Sequence, residues 1–137
     1  LSGPFLDRID IQIEVARLPK GMWANQNTMN ETTNEIQARV LKCRQLQITR
    51  QGKANGHLSS NEVRTHCQLS YQNNELLELA VEKLGLSTRA HHKILKIART
   101  LADIDNTEDI VHKHIIEALS YRAMDRIFQY LTASIAL

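Results

Sequence analysis

Side chains capable of chemistry are spread along this chain without completing a familiar catalytic or metal-binding pattern. Six histidines are present, among them the neighbours His91–His92 and the near neighbours His112 and His114. Adjacent histidines on a helix point ~100° apart, so neither pair presents two ligands to one ion from one face. Glu62 and His66 stand one turn apart, but no H-E-x-x-H surrounds them. Surface or helix-end histidines are therefore expected rather than a metal site. Gly52-Lys53-Ala54-Asn55 lacks the leading glycine and the hydroxyl residue of a phosphate loop. No apolar run ends in paired acids that would hold magnesium, and no serine sits in a nucleophile elbow. Cys43 and Cys67 are 24 positions apart, not in C-x-x-C. Two cysteines are too few for a disulfide scaffold, so a reducing cytoplasm is the expected setting.

Permanent cations carry more promise. Arg8 lies between Asp7 and Asp10, and Arg89, Lys93 and Lys96 share one helical stripe. The plain readings are a salt-bridged surface arginine and a solvated helix face. The functional reading is phosphate binding, because a guanidinium stays charged and offers a planar fork of donors to phosphate oxygens. Arg39, Lys42 and Arg44 read as a solvent-facing group that also suits a nucleic-acid backbone. The stretch Leu79–Leu95, LAVEKLGLSTRAHHKIL, has the order of a helix-turn-helix DNA reader. His91 occupies the position six after Gly85 where that motif wants an apolar residue, and the second helix runs too long, to Ile104. An ordinary helical hairpin closed by a glycine cap is the competing reading.

The elements that must position these groups are mostly helices. With 137 residues, 42% apolar and 23% charged, the chain has the composition of one globular domain with a modest core. A net charge of +2 is too weak to indicate nucleic acid alone, and 4% aromatics provide no row of stacking platforms. No apolar run approaches the ~18 residues of a membrane span. Ile9, Ile11, Ile13 and Val15 alternate with polar residues and predict a strand over 9–15. One strand has no ladder partner of its own. Together with the opening Leu1-Ser2-Gly3-Pro4, which holds no Met and no signal peptide, this leads us to expect a fragment with a sheet-containing domain upstream. Residues 18–31 read as a linker containing Trp23.

Thereafter the periodicity is helical. Thr32-x-x-Glu35 and Ser59-x-x-Glu62 are capping boxes opening two helices, the first with Ile36, Val40 and Cys43 on its apolar stripe and ending near Gly52, the second short and ending near Cys67. A third helix is predicted from about Gln72 to Leu84 with Gly85 as its stop, and Ser87 caps a fourth. Thr107, followed by Glu108 and Asp109, is predicted to cap a fifth. Ile127, Tyr130, Leu131 and Ile135 keep the spacing of a sixth.

The opening LSGPFLDRIDIQIEV resembles the end of the nucleotide-binding core of Mg-chelatase-like AAA+ ATPases. Leu86-Ser87-Thr88-Arg89, the run His92–Asp103, and the ending Glu117–Arg122 with Asp125-Arg126 resemble the C-terminal block of the competence-associated, ComM-type branch of that family. The resemblance covers residues 1 to about 126. It implies an all-α lid bundle of about five or six helices, preceded by an orphan β-strand and a flexible linker: core end over 1–17, linker over 18–31, lid over 32–126, and an unassigned helical tail over 127–137. The Arg of the L-L-D-R-[IF]-D element maps to Arg8 as the arginine finger, and the Arg of the S-x-R element maps to Arg89 as sensor 2, the cofactor-binding residue. The resemblance further implies ATP and Mg²⁺ bound by the parent protein, none held by the fragment alone, and neighbouring subunits of a homo-oligomeric, hexameric ring as partners. DNA is the implied substrate, processed by branch migration in natural transformation, with no membrane partner. A true magnesium chelatase ATPase subunit and a helix-turn-helix DNA-binding module are the alternatives.

Overall fold

The structure is a computed structural model that describes Phe5, residues 8–17, Lys20 and residues 30–122. Among these residues there are five α-helices and no β-ladder. α1 spans Thr33–Gln51, α2 Ser60–His66, α3 Tyr71–Lys83 and α4 Thr88–Ile104, and α5 covers 112–122. A short 3₁₀ turn, Asn55–His57, joins α1 to α2.

Local chemistry sets the helix starts. Thr32 and Glu35 close a reciprocal capping box at α1, and Ser59 and Glu62 do the same at α2. Ser70 and Ser87 cap α3 and α4 by accepting from Asn73 N–H and Ala90 N–H. Three helices end in the left-handed region. Gly52 (φ 75°) closes α1, Gly85 (φ 58°) follows α3, and Asn106 (φ 55°) follows α4. At the last two sites the next N–H reaches back five residues, Leu86 to the Val81 carbonyl and Thr107 to the Ala102 carbonyl, both at 2.9 Å. That 6→1 bond satisfies carbonyls the helix end leaves open.

α4 is the centre. Ala90, Ile94, Leu95, Ile97, Ala98 and Ala102 are buried along it, and Leu58, Val63, Cys67, Leu77, Ile110, Ile115, Ala118 and Leu119 pack around or beside them. Burying these aliphatic side chains is the main force holding the bundle, at ~25 cal/mol per Å² of apolar surface removed from water. An isolated parallel bridge, Leu69 to Ile110, ties the α2–α3 connection to the α4–α5 connection.

Several expectations need correction. Residues 9–17 form no strand: no ladder forms there among the described residues, and Ile11, Ile13 and Val15 stay 52%, 66% and 81% exposed. Among the described residues the alternation has no neighbouring strand to pair with, so it does not specify one here. Thr107 caps no helix. Its N–H and hydroxyl both reach the Ala102 carbonyl, so it finishes α4, and α5 begins at 112. On α1, Cys43 and Gln47 are buried, whereas Ile36 and Val40 are exposed, because α1 meets α4 through its C-terminal half. The sixth helix and the tail over 127–137 lie outside the described residues, as do Trp23 and most of the linker.

Candidate functional site

Arg89 is the second residue of α4, immediately after the capped start at Ser87-Thr88. Its side chain stands exposed where the helix dipole and open N–H groups favour anions. Lys93 follows one turn later and Lys96 about two turns later. Lys96 Nζ donates to the Gly56 carbonyl at 3.1 Å, tying the 3₁₀ turn to α4.

Arg8 comes from far away in sequence, on the irregular segment that crosses α4 and α5. A turn bond, Arg8 N–H to the Phe5 carbonyl at 3.0 Å, precedes it. The Asp10 carboxylate pairs with Lys93, so the local Asp10–Arg8 pairing the sequence allows is not the one formed. Arg122 Nη1 donates to the Ile9 carbonyl at 2.6 Å, and Gln12 N–H donates to the Tyr121 carbonyl at 2.7 Å.

The outcome is one groove of about 730 Å³ that both predicted arginines line. Among the described residues, Arg8, Arg89, Lys93 and Lys96 contribute its cations and Asp10 its single carboxylate. Ile97, Leu101 and Ile104 of α4, with Ile11 and Ile13, supply an apolar wall. Arg89, Lys93 and Lys96 also border a second hollow with Ser60, Thr88 and His92. Chemically, the main groove can hold an anion with several oxygens against an excess of positive charge, with apolar surface alongside. Among the described residues it is poorly suited to hold a divalent cation directly, since the one carboxylate they contribute is already engaged by Lys93. Among the described residues no three His, Cys, Asp or Glu side chains cluster to hold a metal.

The helix-turn-helix order of α3 and α4 does not produce an exposed reading helix. Eight residues of α4 are buried, including Arg99 and Asp103, which belong to an internal ion-pair network with Arg50. A recognition helix must lay a free face into the major groove. Arg39, Lys42 and Arg44 are exposed on α1, and Arg39 pairs with Glu31.

A family model described as magnesium chelatase, subunit ChlI C-terminal, matches residues 30–122. The chain belongs to that family. It is similar to the competence protein ComM of Haemophilus influenzae, 47% identical over 132 residues that cover 96% of this chain and 26% of ComM. It is also similar to the uncharacterized protein YifB of Escherichia coli, 42% identical over 131 residues (96% of this chain, 26% of YifB). YifB of Salmonella typhimurium is 38% identical over 136 residues, 99% of this chain and 27% of that protein. The chain thus spans about a quarter of the length of these relatives. The family match takes in the whole bundle from the start of α1 to the described end of α5, and Arg89 with it; Arg8 lies before its first residue.

Sequence reasoning missed the joining role of Lys93 and Arg122. Lys93 had a visible signal in its one-turn spacing from Arg89. Arg122 had none, because its contact with Ile9 bridges 113 residues. No helix among the described residues is long and apolar enough to cross a membrane.

Proposed function

We propose that this chain is the C-terminal helical lid of an AAA+ ATPase, with Arg8 as arginine finger and Arg89 as sensor 2. The observation that carries this reading is that Arg8 and Arg89, separated by most of the chain, line the same cationic groove with Lys93 and Lys96. Phosphoryl transfer spreads charge over the terminal phosphate oxygens, and a guanidinium held against them lowers that barrier. An arginine supplied from a neighbouring subunit is worth ~10³ to 10⁵ in rate.

The described part of the groove suits phosphate oxygens, while the main ATP and Mg²⁺ ligands would, by the family resemblance, lie on residues outside this chain. In a ring, hexameric by the family resemblance, the groove would close over nucleotide at a subunit boundary. Movement of the lid during hydrolysis would then be passed to the substrate. The similarity over nearly the whole chain to a protein named as a competence protein favours a role in competence; by the family resemblance that role would be branch migration of DNA in the cytoplasm. A magnesium chelatase role, which the family description names, is the second reading.

The test is ATP turnover by the intact parent protein. Arg89→Ala is expected to lose turnover while keeping the far-UV spectrum of the wild type. Arg8→Ala subunits mixed with wild type are expected to depress activity more than dilution accounts for, since each would fail its neighbour. Unchanged turnover in both variants would remove the two assignments.

A further inference from the structure

Three adjacent residues of the Arg8 segment are gripped by the bundle. Lys93 Nζ donates to the Arg8 carbonyl at 2.9 Å and pairs with the Asp10 carboxylate, while Arg122 holds the carbonyl of Ile9 between them. The grip comes from two helices, α4 and α5, and Gln12 N–H adds a fourth contact to the end of α5. The Lys93 side chain is only 15% exposed, so its ammonium is turned into this contact and not left free in solvent. Arg89, one turn earlier on α4, faces the same groove.

We propose that Lys93, with Asp10 as its counter-ion, is a positioning residue for Arg8. It fastens the backbone carrying Arg8 to the first turns of α4, so that Arg8 and Arg89 travel as one unit with the lid. The inference rests on the lid reading above and adds to it a device for keeping two distant arginines in register. A long side chain on an irregular segment loses conformational freedom when it acts, and a cation contributes to catalysis only when it is already in place. An ammonium that joins the carbonyl of Arg8 to the carboxylate two residues later removes much of that freedom beforehand. Lys93 is therefore assigned to holding Arg8, not to contacting phosphate.

The test uses the intact parent protein with Lys93→Met, Asp10→Asn, their double variant, Lys93→Arg and Arg8→Ala. Loss of positioning is expected to lower kcat for ATP about tenfold in either single variant. Affinity for a fluorescent ATP analogue is expected to stay within about twofold of wild type. The double variant is expected to be no slower than either single one, because both remove the same contact. Lys93→Arg is expected to recover most of the rate. Hydrogen exchange of the peptide covering 8–13 is expected to quicken in Lys93→Met, with exchange in α4 unchanged. Weakened nucleotide binding in Lys93→Met without an effect of Asp10→Asn would make Lys93 a phosphate ligand and overturn the proposal. Unchanged exchange over 8–13 would overturn it as well. Arg8→Ala separates the two ideas: if it leaves turnover intact, the finger assignment fails, and exchange alone decides whether Lys93 fastens the segment.

Discussion

Arg50 of α1 and Asp103 of α4 meet as a two-point ion pair across the seam between their helices, Nη1 to Oδ1 at 2.6 Å and Nη2 to Oδ2 at 2.9 Å. Asp103 is almost completely buried, and it also receives Asn55 Nδ2 at 2.9 Å and Arg99 Nε at 3.1 Å. Burial pushes its carboxyl pKa up, but the hydrogen bonds from Arg50 and Asn55 and the charges of both arginines outweigh this and hold it below the ordinary value. The two partners are consequently unequal. Arg50→Ala removes one cation from a carboxylate that keeps Arg99, and is expected to cost about 1.5–3 kcal/mol. Asp103→Ala leaves Arg99 buried without its carboxylate, and is expected to cost about 3–5 kcal/mol. Urea unfolding of the two variants checks the order; equal losses would refute it.

Glu62 gives a pH-dependent prediction. Its Oε1 accepts from Lys53 Nζ and its Oε2 from Ser59 N–H, each at 2.7 Å. The Lys53 hydrogen bond, followed by the Ser59 bonds, lowers its pKa from 4.5 to about 2. The folded value lies below the ordinary one, so the support Glu62 gives α2 is complete above pH 4.5 and is lost as pH falls through about 2. Side-chain NMR titration is expected to find a midpoint near 2, with faster amide exchange at Ser59 and Glu62 over that window. Lys53→Ala is expected to move the midpoint upward; an unmoved midpoint would contradict the assigned cause.

What the sequence discloses divides along distance. Thr32–Glu35 and Ser59–Glu62 are three-residue relationships, and the capping boxes form where the pattern places them. Thr107 fails for a physical reason: the same hydroxyl residue that opens a helix can also finish one, and left-handed Asn106 turns it back onto Ala102. Ile36 and Val40 carry the right spacing for a buried stripe, but spacing does not say how far the partner helix extends, and α4 does not cover them. The alternation at 9–15 describes a strand only where another strand is present. In the candidate site, Arg8 and Arg89 are visible through family resemblance, whereas their meeting in one groove depends on Lys93 and Arg122 reaching back 85 and 113 residues, which no local pattern encodes.

Both cysteines are expected to be inert in the folded protein. Burial pushes the Cys67 thiol up to about 11, and burial followed by the Asp103 charge raises that of Cys43. The thiolate is the reactive form, and for Cys67 its fraction at pH 8 falls roughly two orders of magnitude below that of a free cysteine. A disulfide-exchange reagent at pH 8 is expected to find almost no fast thiol in the native chain and both after denaturation. Rapid native reaction of either cysteine would show that α4 opens readily.

His114 has a structural task at the start of α5. The ring is 1% exposed. Its Nδ1 accepts the Val111 N–H at 3.1 Å, and its Nε2 lies 3.1 Å from Asp105 Oδ2. Because Nδ1 accepts, the proton belongs on Nε2, which donates to Asp105, a carboxylate held below its ordinary pKa by Lys113 first and His114 second. A neutral imidazole thus performs the reach-back to the helix start that a glutamate performs at α1 and α2. His114→Ala removes the helix-start bond, the link to Asp105 and the buried ring together, and is expected to cost about 1–3 kcal/mol. Lys113→Ala, next to it but 65% exposed, is expected to cost under about 0.5 kcal/mol despite its pairing with the same Asp105. Denaturant midpoints of the two variants give the comparison. A larger loss from Lys113 than from His114 would place the stabilising contact on the surface ion pair and not on the buried ring.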